Sequence, residues 1–279
     1  MTPQEYCINK VLHEGSSLYY SLRFLPLAQR DTLTALHAFF NEIKEIQYEC
    51  HDIAVARIKL QWWQTEIAQL FADTPQHPIC QALAEPIRHY HLAEHYFQEM
   101  IEGVLLDLKI NRYTRFEQLE EHCKRTRSVL NLLCAQVLGY QNDSTLKYAE
   151  QLGIAEHLFS ILRDLRRDIL NEHSYLPQEE LDYFNVTTPN LLDEPLSDAV
   201  QALLIHQVAR IRAYYADAFK YLVKEDTFTQ RSSLIRAQLA LATLTEIEND
   251  SYQVVKHRVH LTPLRKLWIT WRTLWRARK

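Results

Sequence analysis

Ser160-Ile-Leu-Arg-Asp-Leu-Arg-Arg-Asp-Ile-Leu-Asn-Glu-His-Ser-Tyr-Leu-Pro177 reads as the last turns of a long helix, closed before Pro177. Asp164 and Asp168 stand four residues apart, so on a helix both carboxylates leave the same face. Ser160 lies one turn earlier on that face. Adjacent carboxylates repel, and the repulsion is relieved where a divalent cation, often with a diphosphate behind it, sits over them. The ordinary alternative is a solvated surface pair, neutralised by Arg163 and Arg167 from the neighbouring face.

Outward from this stretch the chain reads as helices punctuated by proline. Helical spacing predicts helices over 3–13, 28–49, 53–72, 116–138, 144–171, 197–222 and 227–250, with two more filling 79–106 and Pro86 marking a kink or a start. Apolar stripes run through Leu33, Leu36, Phe40 and Ile43, and through Leu119, Cys123, Leu130 and Leu133; Ile58, Trp62 and Leu70 are further core candidates. Residues 173–196, with Pro177, Pro189 and Pro195, form the longest irregular stretch. Strand patterns, internal repeats and Gly/Ser-rich linkers are absent. The expected architecture is an all-α bundle of antiparallel helices in a single domain spanning 1–279.

Composition narrows the function. A chain of 279 residues that is 47% hydrophobic and 24% charged can bury a sizeable core. With only 4 glycines it cannot build a Gly-rich phosphate loop. A net charge of -4 argues against general nucleic-acid binding. The 5 cysteines contain no CxxC and read as reduced thiols of a cytoplasmic protein. His89, His91 and His95 have ligand-like spacing, His91 and His95 being four apart, but no cysteine or acid cluster to complete a metal site.

A series of ordered motifs resembles the squalene/phytoene synthase family, and within it the bacterial presqualene diphosphate synthases. It runs from Ser16-Ser17-Leu-Tyr-Tyr20 and Phe24-Leu-Pro26, through Ala56-Arg-Ile-Lys-Leu-Gln-Trp-Trp63, Glu66, His77-Pro78, Asp107 and Arg112-Tyr113, to Leu162-Arg-Asp164, Asp168, Tyr175-Leu-Pro177, Arg258 and Arg265-Lys-Leu267. The resemblance implies the isoprenoid synthase helical bundle and head-to-head condensation of two prenyl diphosphates. It also implies Mg²⁺ held between two aspartate-rich motifs on facing helices. It assigns Asp164, Asp168 and Ser160 to the metal, and Ser17, Tyr20 and Arg163 to the substrate; Lys44, which departs from the family pattern, is a further candidate for the substrate, meeting diphosphate oxygens with Arg163. Apolar tails would lie between the helices at 28–49, 116–138 and 227–250. Asp107 would pair with Arg112.

The first motif departs from the family. Where the family reads Arg-x-x-Asp-Asp-x-x-Asp, this chain has Asn41, Lys44, Glu45 and Tyr48. An ammonium cannot ligate Mg²⁺. Ser128 and Asn131 stand where the family has glycines beside the substrate tails, and His173 replaces an arginine. Three readings follow. The chain is a degenerate member that binds a prenyl diphosphate, another isoprenoid lipid or a partner protein. Alternatively it is an active prenyltransferase with a rebuilt site, using Lys44 in place of a metal charge and Asn41, Glu45 and Glu49 as a rotated ligand face. In the third it is an inactive subunit supporting an active paralogue.

One further stretch stands apart. From Pro263, capped by Thr262, the residues Leu264, Leu267, Trp268, Trp271, Leu274 and Trp275 make one helical stripe, beside Arg265, Lys266, Arg272, Arg276, Arg278 and Lys279 with no acid among them. A basic amphipathic helix at 263–279 of this kind suits an anionic membrane surface, placing the protein peripherally on the inner membrane face. Its ordinary alternative is a last bundle helix that buries the stripe.

Overall fold

The computed structural model describes residues 1–50, 52–110 and 112–278. Helices follow one another with short connections, as the proline and cap signals predict: α1 (Pro3–Val11), α2 (Ser17–Leu22), α3 (Leu27–Glu49), α4 (Ile53–Phe71), α5 (Pro78–His89) and α6 (Glu94–Asp107). Next come α7 (Phe116–Cys123), α8 (Val129–Leu138), α9 (Ser144–Leu170), α10 (Gln178–Tyr183), α11 (Asp198–Tyr221), α12 (Arg231–Asn249) and α13 (Pro263–Ala277). The starts are fixed by local chemistry. Thr2 and Glu5 close a capping box on α1. The Ser16 hydroxyl accepts from the Tyr19 amide at the head of α2, and Asp52 caps α4. Among the described residues there is no named strand, only an isolated bridge between Arg112 and Ser174.

Two hydrophobic clusters form the interior. One gathers Leu33, Leu36 and Phe39 of α3 with Ile67, Phe97 and Leu133. The other gathers Tyr148, Leu152 and Ile161 of α9 with Leu204, Tyr215 and Leu244. A cavity runs between α3 and α9, one wall from each cluster.

Several local readings are corrected. Ile58 and Trp62 are 65% and 47% exposed, and the buried side of α4 is Leu60, Trp63, Ile67 and Leu70. Pro86 lies inside α5, and the next helix begins only at Glu94. The expected continuous helix over 116–138 is interrupted by a π-helical stretch, Lys124–Ser128. Gly153 of α9 admits that stretch, because a Cβ there would overlap the Ser128 backbone. The irregular region contains the short α10 and a 3₁₀ turn at Pro189–Leu192. The C-terminal helix packs on α12 and α2 by Ile269, Thr270 and Ala277, not by its Trp stripe. Leu264, Leu267, Trp268, Trp271 and Trp275 all point outward, between 42% and 80% exposed. Lys279 lies outside the described residues.

Candidate functional site

The cavity has a volume of about 290 Å³. Its walls follow from helical periodicity. On α3 the lining residues are His37, Phe40, Asn41, Lys44, Glu45 and Tyr48; on α9 they are Glu156, Phe159, Ser160, Arg163, Asp164 and Arg167. Both sets run i, i+3, i+4, i+7, i+8, i+11, the spacing of one helix face. Ser17 of α2 and Tyr215 of α11 also line the cavity. Tyr20 does not: it is packed in a third cluster with Ile235, Leu239, Leu261 and Ile269.

The carboxylates on α9 are buried rather than solvated, and guanidinium groups already hold them. Arg163 forks onto Asp164, with Nε to Oδ1 at 2.9 Å and Nη2 to Oδ2 at 2.6 Å. Arg258 reaches Oδ1 of the same carboxylate at 3.2 Å. Burial alone would raise the Asp164 carboxyl, but Arg163, Arg167 and Arg258 outweigh it and hold the group down at about 2. Asp168 Oδ1 accepts from Arg167 at 2.9 Å and from the Tyr48 hydroxyl at 3.2 Å. For Asp168 burial prevails, and its carboxyl sits above the usual range despite Arg167 and Lys44. The Ser160 hydroxyl donates to the His157 carbonyl at 2.7 Å, a bond internal to its own helix.

The opposite wall offers a cation. Lys44 lines the cavity, and among the described residues no acid lies within ion-pair distance of its ammonium. Burial, then the charge of Arg127, pushes Lys44 from 10.5 down to about 8, against the pull of Asp168 and Asp164. The alternative ligand face on α3 is tied up elsewhere. Asn41 donates to Glu45 at 2.8 Å, Glu45 pairs with Lys10 at 2.6 Å, and Glu49 faces out towards Lys59.

The inner end of the cavity, where apolar tails were expected, is polar. Arg236 of α12 bonds Glu156 through Nε at 2.9 Å and the Asn131 carbonyl through Nη2 at 2.7 Å. The Asn131 amide returns to Glu156 at 3.2 Å. His37 faces Arg236 Nη1 at 3.4 Å; burial, then Arg236 and Arg127, hold this imidazole well below its usual range, so it is a neutral acceptor. Arg127, from the π-helical stretch, lies over the Phe40 ring at 4.9 Å. Among the described residues its guanidinium has no hydrogen-bonding or ion-pair partner.

The remaining family-motif residues serve the scaffold. Asp107 is buried and accepts from the hydroxyls of Tyr113 at 2.6 Å and Tyr175 at 2.7 Å, with His173 at 3.6 Å. Burial opposes its charge, but His122, His173 and the Tyr113 phenol hold its carboxyl below the usual range. Arg112 is exposed and is not its partner. Arg127, Glu156 and Arg236 were not anticipated as site residues, and Arg167 was anticipated only as a neutraliser of the carboxylate pair. A signal for Arg127 existed: it falls between Cys123 and Leu130 on the apolar stripe of its helix, where a cation is out of place.

Magnesium requires near-octahedral oxygen coordination at short distance. Both oxygens of Asp164 are occupied by guanidinium groups, and the facing side chains are an ammonium and a phenol. Among the described residues no group of three His, Cys, Asp or Glu side chains could hold a metal ion. The residues present do not fit the ion.

A family model described as squalene/phytoene synthase matches residues 11–265. A phytoene synthase of Arthrospira platensis is 25% identical over 276 residues, covering 94% of this chain and 89% of that protein. A 15-cis-phytoene synthase of Synechococcus elongatus is 28% identical over 278 residues, with the same coverage of 94% and 89%. Among solved structures, a dehydrosqualene synthase in complex with ligand superposes with a TM-score of 0.86 at 18% identity, over 99% of this chain and 96% of that one. The helical bundle is therefore the isoprenoid synthase fold, and the chain belongs to the squalene/phytoene synthase family.

Proposed function

We propose that this protein binds a single isoprenoid or related ligand with an anionic head in the cavity between α3 and α9, and does not condense two prenyl diphosphates. The observation carrying this reading is the mismatch of the two walls. Head-to-head condensation must ionise an allylic diphosphate, which needs concentrated positive charge on the leaving group. In this family Mg²⁺ supplies that charge from facing carboxylates. Here one wall presents carboxylates already neutralised by Arg163, Arg167 and Arg258, and the other presents Lys44 and Tyr48. The cavity, at about 290 Å³, lies at the lower limit of roughly 300–1,000 Å³ for sites holding one drug-sized ligand. Two prenyl chains would also have to displace the Arg236–Glu156 pair.

The test is direct. Purified protein with farnesyl diphosphate, Mg²⁺ and NADPH should yield no squalene, presqualene diphosphate or phytoene-type product; turnover above a no-enzyme control contradicts the reading. The second reading, an active trans-isoprenyl transferase with a rebuilt site, is favoured by the likeness to phytoene synthases across nearly the whole chain.

The outward Trp stripe of α13 supports a further part of the reading: peripheral docking on an anionic membrane, with 1–279 acting as one domain. Leu264, Trp268 and Trp271 are more than half exposed, and Arg272, Arg276 and Arg278 flank them. Trp with Arg on an amphipathic helix suits the headgroup boundary. Among the described residues no helix is long and apolar enough to cross a membrane.

A further inference from the structure

Pairing the charges around the cavity leaves a remainder. Glu45 is paired with Lys10, Asp164 with Arg163 and Arg258, Asp168 with Arg167, and Glu156 with Arg236. Lys44 and Arg127 are left over. Among the described residues neither has an acid within ion-pair distance, and both line the same cavity. They stand on different elements, α3 and the π-helical stretch, and burial, joined by neighbouring guanidinium groups, lowers the proton affinity of both, against the pull of Asp168 and Asp164 on Lys44 and of Glu156 on Arg127. Two half-buried cations without an acid in ion-pair distance are costly to keep. A π-helical insertion that aims one of them inward is a feature associated with functional sites.

From this geometry we infer that Lys44 and Arg127 form a metal-independent site for a diphosphate-class anion carrying at most a short hydrocarbon substituent. The inference rests on the non-condensing reading above and specifies its ligand. The pair supplies in fixed protein cations what Mg²⁺ would supply elsewhere. An ammonium gives a compact point charge and a guanidinium gives a planar fork, and both suit phosphoryl oxygens. The cavity volume limits the size of the ligand. An engineered cavity of roughly 150 Å³ holds benzene, so one of about 290 Å³ takes on the order of a dozen non-hydrogen atoms. Inorganic diphosphate has about nine and a five-carbon diphosphate about fourteen, whereas a farnesyl diphosphate has about twenty-four. The inner wall agrees, because a longer tail would have to part Arg236 from Glu156 and strand both charges.

Calorimetric titration of the full chain with inorganic diphosphate tests this. The probe should bind saturably in EDTA, and excess Mg²⁺ should not tighten it. Lys44→Met and Arg127→Met should each weaken binding about tenfold or more, as expected for one lost charge-assisted hydrogen bond. Lys44→Arg should largely retain it, and thermal melts of each variant confirm that the fold survives. In a series of alkyl diphosphates, the five-carbon compound should bind more tightly than the farnesyl compound. Binding only in the presence of Mg²⁺, unchanged affinity in both Met variants, or tighter binding of the farnesyl compound would overturn the inference. These outcomes are independent of the product assay: a chain that condensed prenyl diphosphates would refute the non-condensing reading, even if Mg²⁺-free binding held.

Discussion

Replacing Lys44 with methionine should make the protein more stable. Methionine keeps the unbranched stem and removes the charge. In the folded state Lys44 titrates near 8 instead of 10.5, chiefly through burial. At about 1.36 kcal/mol per pKa unit, the protonated side chain costs the fold up to about 3 kcal/mol at neutral pH. Water in the cavity and imperfect filling by the thioether reduce the gain, so about 1–3 kcal/mol is expected. The pH dependence has a definite sign. Below pH 8 the lysine is protonated in both states and the full cost applies. Between 8 and 10.5 the folded state gives up its proton while the unfolded state keeps it, so wild-type stability rises with pH. The methionine variant lacks that rise. Urea denaturation at pH 7 and pH 9.5 should show the variant ahead at pH 7, with its lead shrinking by about 2 kcal/mol at pH 9.5. A variant less stable than wild type at pH 7, or a difference unmoved by pH, would refute an uncompensated ammonium in the cavity.

The inner polar wall can be tested the same way. Arg236→Met strands the buried Glu156 and should cost roughly 3–5 kcal/mol, with much of the loss recovered when Glu156→Met is added; calorimetric melts of the single and double variants decide. Gly153→Ala forces a methyl group into the Ser128 backbone. The overpacking cost of about 3 kcal/mol should outweigh about 1 kcal/mol of helix propensity, lowering Tm by roughly 4–8 °C. Trp268→Ser with Trp271→Ser should weaken co-sedimentation with anionic liposomes by about tenfold or more, since two exposed indoles would no longer be buried; undiminished binding would leave α13 as bundle packing only.

The helices were legible because their signals are local. Thr2, Ser16, Asp52 and Thr262 each cap the helix that follows, and Leu33, Leu36, Phe40 and Ile43 are buried as their spacing requires. The motif series carried the family, and the swap to Lys44 and Tyr48 marked the altered wall. Pairing across the fold was not legible. Periodicity shows which face of a helix is apolar, but not which acid meets which cation: Arg236 finds Glu156 from 80 residues away. The π-helical stretch escaped for a similar reason, since its register depends on Gly153 of a different helix. On α13 the stripe was legible and its direction was left open, because an amphipathic face fits a bundle or a membrane equally well. Asp107 was matched to the nearby Arg112, yet tertiary packing supplied the phenols of Tyr113 and Tyr175 instead.

The metal question is the sharpest test. Crystals grown with Mn²⁺, an anomalous scatterer that substitutes for Mg²⁺, and a non-hydrolysable farnesyl thiodiphosphate can be measured at the manganese edge. The arrangement of Asp164, Asp168, Lys44 and Tyr48 predicts no anomalous peak between α3 and α9. Manganese ions bridging Asp164 and Asp168 to the diphosphate, with Arg163 and Arg167 swung away, would contradict it.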